Sequence, residues 1–250
     1  MILRKIGLAI ALSMLFALPV CAEGFWFATI ADTHITDESS AEIVAETIEM
    51  INADERIEMS LWLGDITDKS TEAEFIIAKR TLELNEKPWY PVRGNHDNKG
   101  GFYEEYFGPI NYRVEHGGWV FLMMDSNGPV DTIVTDETMA WLSEQVAATD
   151  PDTPIVLACH HPLILGGIVP LAGAPAILEL FENHNLKAVV AGHLHTNQEH
   201  VVDGVLHTVN ACAASIRANI DRDPRRGYRI FHAHDGELTT EFVTVREIED

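Results

Sequence analysis

FWFATIADTH, residues 25 to 34, is the stretch on which the fold turns. Phe25 to Ala31 is an apolar run rich in aromatic and β-branched side chains and reads as a buried strand. Asp32-Thr33-His34 follows at once. Residues two apart on an extended chain project to the same side, so Asp32 and His34 are expected to grip one cation together.

The same unit recurs downstream. Ser39 to Ala53 carries Ile43, Val44, Thr47, Ile48 and Ile51 at helical spacing, and Met59 to Leu63 is a second short apolar strand. Thr71 to Asn85 reads as a helix and Trp89 to Val92 as a third strand. Beyond Gly101 the period changes, and Tyr112 to Val114 with Trp119 to Met124 predict an antiparallel hairpin about Gly117-Gly118. A helix over Thr135 to Ala148, a strand over Pro154 to Ala158, a helix over Ile177 to Asn183 and a strand over Ala188 to Ala191 come next. The tail holds short strands, Gln198 to Val202, Val205 to Val209, Tyr228 to Ala233 and Leu238 to Val243, with hairpin turns at Asp203-Gly204 and Asp235-Gly236. This mixture predicts an α/β fold, a four-layer αββα sandwich of two mixed sheets flanked by helices. Residues 23 to 250 contain no linker or repeat and read as one domain. The glycine-rich segment Leu165 to Ala174 reads as an ordinary loop rather than a mobile lip.

Ahead of the first strand stand Arg4 and Lys5, the uncharged run Ile6 to Leu18, and Pro19-Val20-Cys21-Ala22. That order describes an export signal over residues 1 to 22, too short to serve as a comfortable membrane span. The expected location is periplasmic or secreted, with no stable membrane anchor after cleavage. Losing Arg4 and Lys5 takes 17 basic residues to 15 against 39 acidic ones, so the net charge moves from -22 to -24. Such a surface repels long polyanions, so no nucleic-acid partner is expected, and it attracts cations. Cys159 and Cys212 remain, either as one disulfide or as buried free thiols.

Polar clusters close five apolar runs: Asp32-Thr33-His34, Gly64-Asp65, Gly94-Asn95-His96-Asp97, His160, and Gly192-His193-Leu194-His195. One acid after one strand is an ordinary cap. Five clusters at strand carboxyl ends, where open α/β sheets gather their active-site residues, are not explained by capping. The set of two Asp, one Asn and four His offers only nitrogen and oxygen donors, which suits zinc, manganese or iron. A carboxylate has two oxygens and can serve two cations about 3.5 to 4 Å apart; Asp65 is assigned that role.

Read together, DTH (32–34), GDITD (64–68), GNHD (94–97), HHP (160–162) and GHLH (192–195) resemble the complete motif set of the calcineurin-like metallophosphoesterases. The resemblance implies that Asp32, His34, Asp65 and His195 hold a first metal and that Asp65, Asn95, His160 and His193 hold a second. The cofactors it implies are two divalent or mixed-valence ions (Mn, Fe or Zn), with a water or hydroxide between them attacking a small phosphate ester. His160 is preferred to His161 because the family's ligand stands two before the proline. His96 would donate a proton to the leaving oxygen, Asp68 would orient that histidine, and Asp97 would be structural. Arg93 could meet a phosphate or form an ion pair.

Two departures narrow the subfamily. Asp68 stands where purple acid phosphatases carry a tyrosine ligand, and Lys69-Ser70 replaces the Arg-Gly of protein phosphatases. The nearest likeness is to small bacterial cyclic-nucleotide phosphodiesterase-type enzymes, with diesters favoured over monoesters. The alternative reading is a catalytically inactive metal-binding module on the same scaffold.

Overall fold

A computed structural model describes residues 24–128, 134–164 and 173–249. The signal expected over residues 1 to 22 and most of the Leu165 to Ala174 loop lie outside those residues.

β1 (Phe25–Ile30) lies parallel to β2 (Ile57–Trp62), which lies parallel to β3 (Trp89–Pro91). On the other side of β1 run β10 (Arg225–His234) and then β11 (Glu237–Glu247), both antiparallel to their neighbours. The second sheet has the order β4 (Tyr112–His116), β5 (Trp119–Met123), β6 (Pro154–Ala158), β7 (Asn185–Ala191), β9 (Val205–Val209), β8 (Gln198–Val202). Its four inner strands are parallel, and an antiparallel strand closes each edge.

Strand alternation explains the layering. Phe25, Phe27, Phe121, Met123, Val156, Ala188, Val190 and Phe231 form one buried cluster that joins the two sheets face to face. The intervening residues point outward: Ala28 and Ile30 into a cluster with the helices of the first sheet, Val120, Leu122, Ile155 and Leu157 into a cluster with those of the second. Strands buried on both faces require apolar residues at every position, which is why these runs show no polar alternation.

The first outer layer consists of α1 (Glu38–Ala53) and α2 (Glu72–Leu82), each started by a capping box, Asp37 with Ser40 and Thr71 with Glu74. The second outer layer consists of α4 (Asp136–Ala147) and α5 (Ala174–Glu179). Thus the four-layer αββα sandwich is present, and both Asp-Gly pairs turn hairpins with all four residues at positive φ.

Two expectations need correction. A helix, α3 (Phe102–Phe107), occupies residues for which none was predicted. Six residues are too few to display a helical period, and aromatic packing holds it: Tyr106 stacks on Phe75 at 5.8 Å and Phe107 meets Trp89 edge-on. α5 starts earlier than Ile177 and ends at Glu179, and β7 begins at Asn185 rather than Ala188. Of the two states left open for Cys159 and Cys212, the structure has separate buried thiols, donating to the carbonyls of His161 and Asp32.

Candidate metal centre

β1, β2 and β3 of one sheet and β6 and β7 of the other release their polar residues at the same edge of the sandwich. The loops are stitched together by main-chain bonds: Asp32 N–H to Gly64 O (3.0 Å), His34 N–H to Asp65 O (2.9 Å) and Gly192 N–H to His160 O (3.0 Å). His193 N–H donates across the sheets to both oxygens of Asp32 at 3.0 Å. The glycines of the motifs make this closeness possible. A Cβ on Gly94 would lie 2.1 Å from Asp65 N, and one on Gly192 would lie 2.7 Å from Asp32 Oδ2.

The same-side pairing expected from strand alternation has a different cause. Asp32, His34, Asp65, His193 and His195 all lie beyond their strands with positive φ, between 43° and 71°. Non-glycine residues rarely enter this left-handed region, at a cost on the order of 1 kcal/mol or more each, and such strain concentrates at functional sites. Here the left-handed residues alternate, Asp32 with His34 and His193 with His195, and all four side chains meet in the donor set.

The donor atoms fall into two sets. His34 Nε2 lies 3.2 Å from His195 Nε2, and His195 Nε2 lies 3.4 Å from Asp32 Oδ1. On the other side His160 Nε2 and His193 Nδ1 each lie 3.0 Å from Asn95 Oδ1. Asp65 Oδ2 stands between them, 3.8 Å from His34 Nε2 and 3.3 Å from His160 Nε2. Ligands about 2.1 Å from a cation are themselves separated by roughly 3.0 to 3.4 Å, so most of these spacings match donors around an ion. Two nitrogens facing each other without a shared hydrogen would otherwise repel. Asp32, His34, Asp65 and His195 therefore fit a cation as one group, and Asn95, His160 and His193 meet at the neighbouring position.

The electrostatics are those of a site prepared for cations. Burial pushes His34 and His193 down to about 4, so both imidazoles are neutral at neutral pH and keep a lone pair that a cation could take. Burial also acts against protonation of His160 and His195, but Asp65 beside the first and Asp32 beside the second hold them up at about 9 and about 11. In the cation-free protein those two imidazoles carry protons that an entering metal must displace. Metal affinity should rise with pH, and loading near pH 7 should release protons from this pair. Calorimetry in buffers of different ionisation enthalpy measures this; binding without proton release would refute it.

His96 is not among the donors facing Asn95. Its Nδ1 lies 2.5 Å from the Asp68 carbonyl oxygen, and because a carbonyl only accepts, Nδ1 carries a hydrogen. Nε2 is thereby left for a substrate, with the ring edge-on to His34 and about a third exposed. The Asp68 carboxylate stands further off, 3.9 Å from His96 Nδ1, and closer to His34 Nδ1 at 3.2 Å. Asp97 is buried and accepts from the N–H groups of Ile66, Thr67 and Gly94, tying the β2 loop to the β3 loop. Arg93 forms a forked ion pair with buried Asp125, so its charge is committed there. His161 stands beside His193, with Nδ1 2.8 Å from Ser126 Oγ and a buried Nε2 that has no hydrogen-bond partner among the described residues.

Arg217 is the residue that sequence reasoning missed. It approaches Asp68 from a loop 149 positions away, and no motif or periodicity marks it. A cavity of about 690 Å³ lies near the amino ends of β7 and β9, among Leu186, Val205 and their neighbours. None of its lining residues belongs to the donor set, so volume does not locate the chemistry here.

With this geometry in hand, comparison with known proteins is decisive at the family level. The sequence profile described as calcineurin-like phosphoesterase matches residues 25–197, more than half of the chain. The chain belongs to that family. This calcineurin-like phosphoesterase is 28% identical over 155 residues to a protein of Arcobacter nitrofigilis described as a probable glycerophosphodiester phosphodiesterase, covering 55% of this chain and 56% of the relative. It is 24% identical over 200 residues to a probable cyclic nucleotide phosphodiesterase of Rhodococcus erythropolis, covering 70% of this chain and 66% of the relative. The chain thus spans less than two thirds of either relative. Among solved structures, purple acid phosphatase PPD1 of Lupinus luteus superposes with a TM-score of 0.70 at 14% identity, over 91% of this chain and 53% of that one. That likeness concerns the fold.

Proposed function

We propose that this calcineurin-like phosphoesterase is a dinuclear-metal hydrolase of small phosphodiesters. The observation that carries the reading is the position of Asp65 Oδ2, between His34 of one donor group and His160 of the other. When bound, the two cations would screen phosphate oxygens and lower the pKa of a coordinated water. Asp32, His34 and His195 would hold one, Asn95, His160 and His193 the other, and Asp65 both. The donors are all nitrogen or oxygen, which favours manganese, iron or zinc. His96 Nε2 would supply the proton to the leaving oxygen, and Asp68 would favour the charged imidazole.

The preference for diesters rests on two supports. Both relatives are described as phosphodiesterases. A monoester carries about two negative charges at pH 7 and a diester one, so a chain of net charge -22 penalises the monoester more. We further propose export to the periplasm or medium, supported by the basic and then apolar order of residues 1 to 22.

Reconstitution with manganese, followed by assay of bis(p-nitrophenyl) phosphate against p-nitrophenyl phosphate, tests the reading. The diester is expected to show a kcat/KM at least about tenfold higher, a difference of about 1.4 kcal/mol. Failure to turn over either ester with two metals bound would assign the chain to the inactive metal-binding alternative.

A further inference from the structure

Resting on the phosphodiesterase reading, we propose that Arg217 binds a non-bridging oxygen of the substrate phosphate, with Asp68 holding its guanidinium in place. The evidence is the construction of the loop between β9 and β10. Cys212 N–H donates to Asn219 Oδ1 at 2.8 Å, and Asn219 Nδ2 donates to the carbonyls of Asp223 and Arg225, so a buried asparagine closes the turn that carries Arg217. The same loop is tied to the metal donors. Ile220 N–H donates to the carbonyl of His195 at 2.9 Å, His195 Nδ1 donates to the carbonyl of Ala218 at 3.2 Å, and Cys212 Sγ donates to the carbonyl of Asp32. The backbone of residue 217 is thus anchored on both sides to the ligand strands, and its side chain is the part of the loop free to act.

That side chain reaches Asp68, at the border of the donor set, with donor capacity in reserve. Arg217 Nε lies 3.1 Å from Asp68 Oδ1, and Nη2 converges on the same oxygen. Asp68 Oδ1 also stands 3.2 Å from His34 Nδ1, which places the acid between the guanidinium and a candidate metal donor. Arg217 Nη1 has no hydrogen-bond partner among the described residues, and the side chain is 40% exposed. A guanidinium has five N–H donors in a planar fork, and two of its nitrogens on one carboxylate oxygen leave the remainder directed elsewhere. Arg93, the other arginine near the site, is already paired with Asp125. Arg217 is the cation whose side chain is fixed on the site's own Asp68, and it can answer the single negative charge of a diester in this acidic chain. Ile216 and Ile220 on the same loop are exposed, at 47% and 73%.

The test uses the metal-loaded protein with Arg217→Met, which keeps the length and removes the charge, and Arg217→Lys, which keeps the charge and removes the fork. Inorganic phosphate binding is measured by calorimetry and KM with bis(p-nitrophenyl) phosphate. For Arg217→Met both should weaken about 10- to 100-fold, the range of a hydrogen bond to a charged group, with two metals retained and kcat changed far less. Arg217→Lys should fall between. Unchanged phosphate affinity and KM in Arg217→Met would overturn the proposal, and a fall in kcat alone would make Arg217 a positioning residue for Asp68. Wild-type protein that holds two metals but neither binds phosphate nor turns over the diester would instead sink the phosphodiesterase reading itself.

Discussion

Asp65→Asn should lose both metals and lower the rate at least about 10²-fold, since altering even a group one step removed from a metal costs 10- to 100-fold. Asp32→Asn should do less, because Asp32 belongs with His34 and His195 in one donor group whereas Asp65 Oδ2 stands between His34 of that group and His160 of the other. The substitution is a fair test of ligation because it spares the scaffold. Asp65 Oδ1 accepts the His96 main-chain N–H at 2.8 Å, and an asparagine carbonyl can keep that bond while presenting an amide to the cations. Metal content measured on both purified variants decides the matter. Two tightly bound metals in Asp65→Asn would show that the shared ligand is misassigned.

For His96→Ala the expectation is full metal content with a rate lower by roughly 10²- to 10⁴-fold, the usual contribution of a positioned acid. The loss should depend on the leaving group. p-Nitrophenolate departs with little protonation, so its ester should suffer less than an alkyl ester whose alkoxide is far more basic. Asp68→Asn should show the same dependence in milder form. The carbonyl that contacts His96 Nδ1 survives that change, while the carboxylate 3.9 Å away is neutralised. Equal losses for aryl and alkyl esters, with both metals in place, would assign His96 to holding phosphate.

Much of this was readable because strand burial and strand termination are local. Phe25 to Ala31 and Pro154 to Ala158 are apolar at nearly every position, and a strand covered on both faces demands that pattern wherever its neighbours lie. The Asp-Gly hairpins were readable for the same reason, since two residues at positive φ define the turn. α3 was not. Phe102, Tyr103, Tyr106 and Phe107 form a helix because Phe75 and Trp89 offer them a surface, and that surface comes from other segments.

At the site, the ordered sequence of Asp32, His34, Asp65, Asn95, His160, His193 and His195 determined which donors stand at strand ends and which cations they suit. It also determined the family, since donor type and spacing along the chain are properties of the chain alone. The tertiary structure decided how those donors divide: the left-handed turns, the bonds from His193 N–H to Asp32 across the two sheets, and the placing of Asp65 between two groups. It alone decided that Asp68 is held by Arg217, because a contact spanning 149 residues depends on how the β9–β10 loop folds back over β1 and leaves no periodic trace in the sequence.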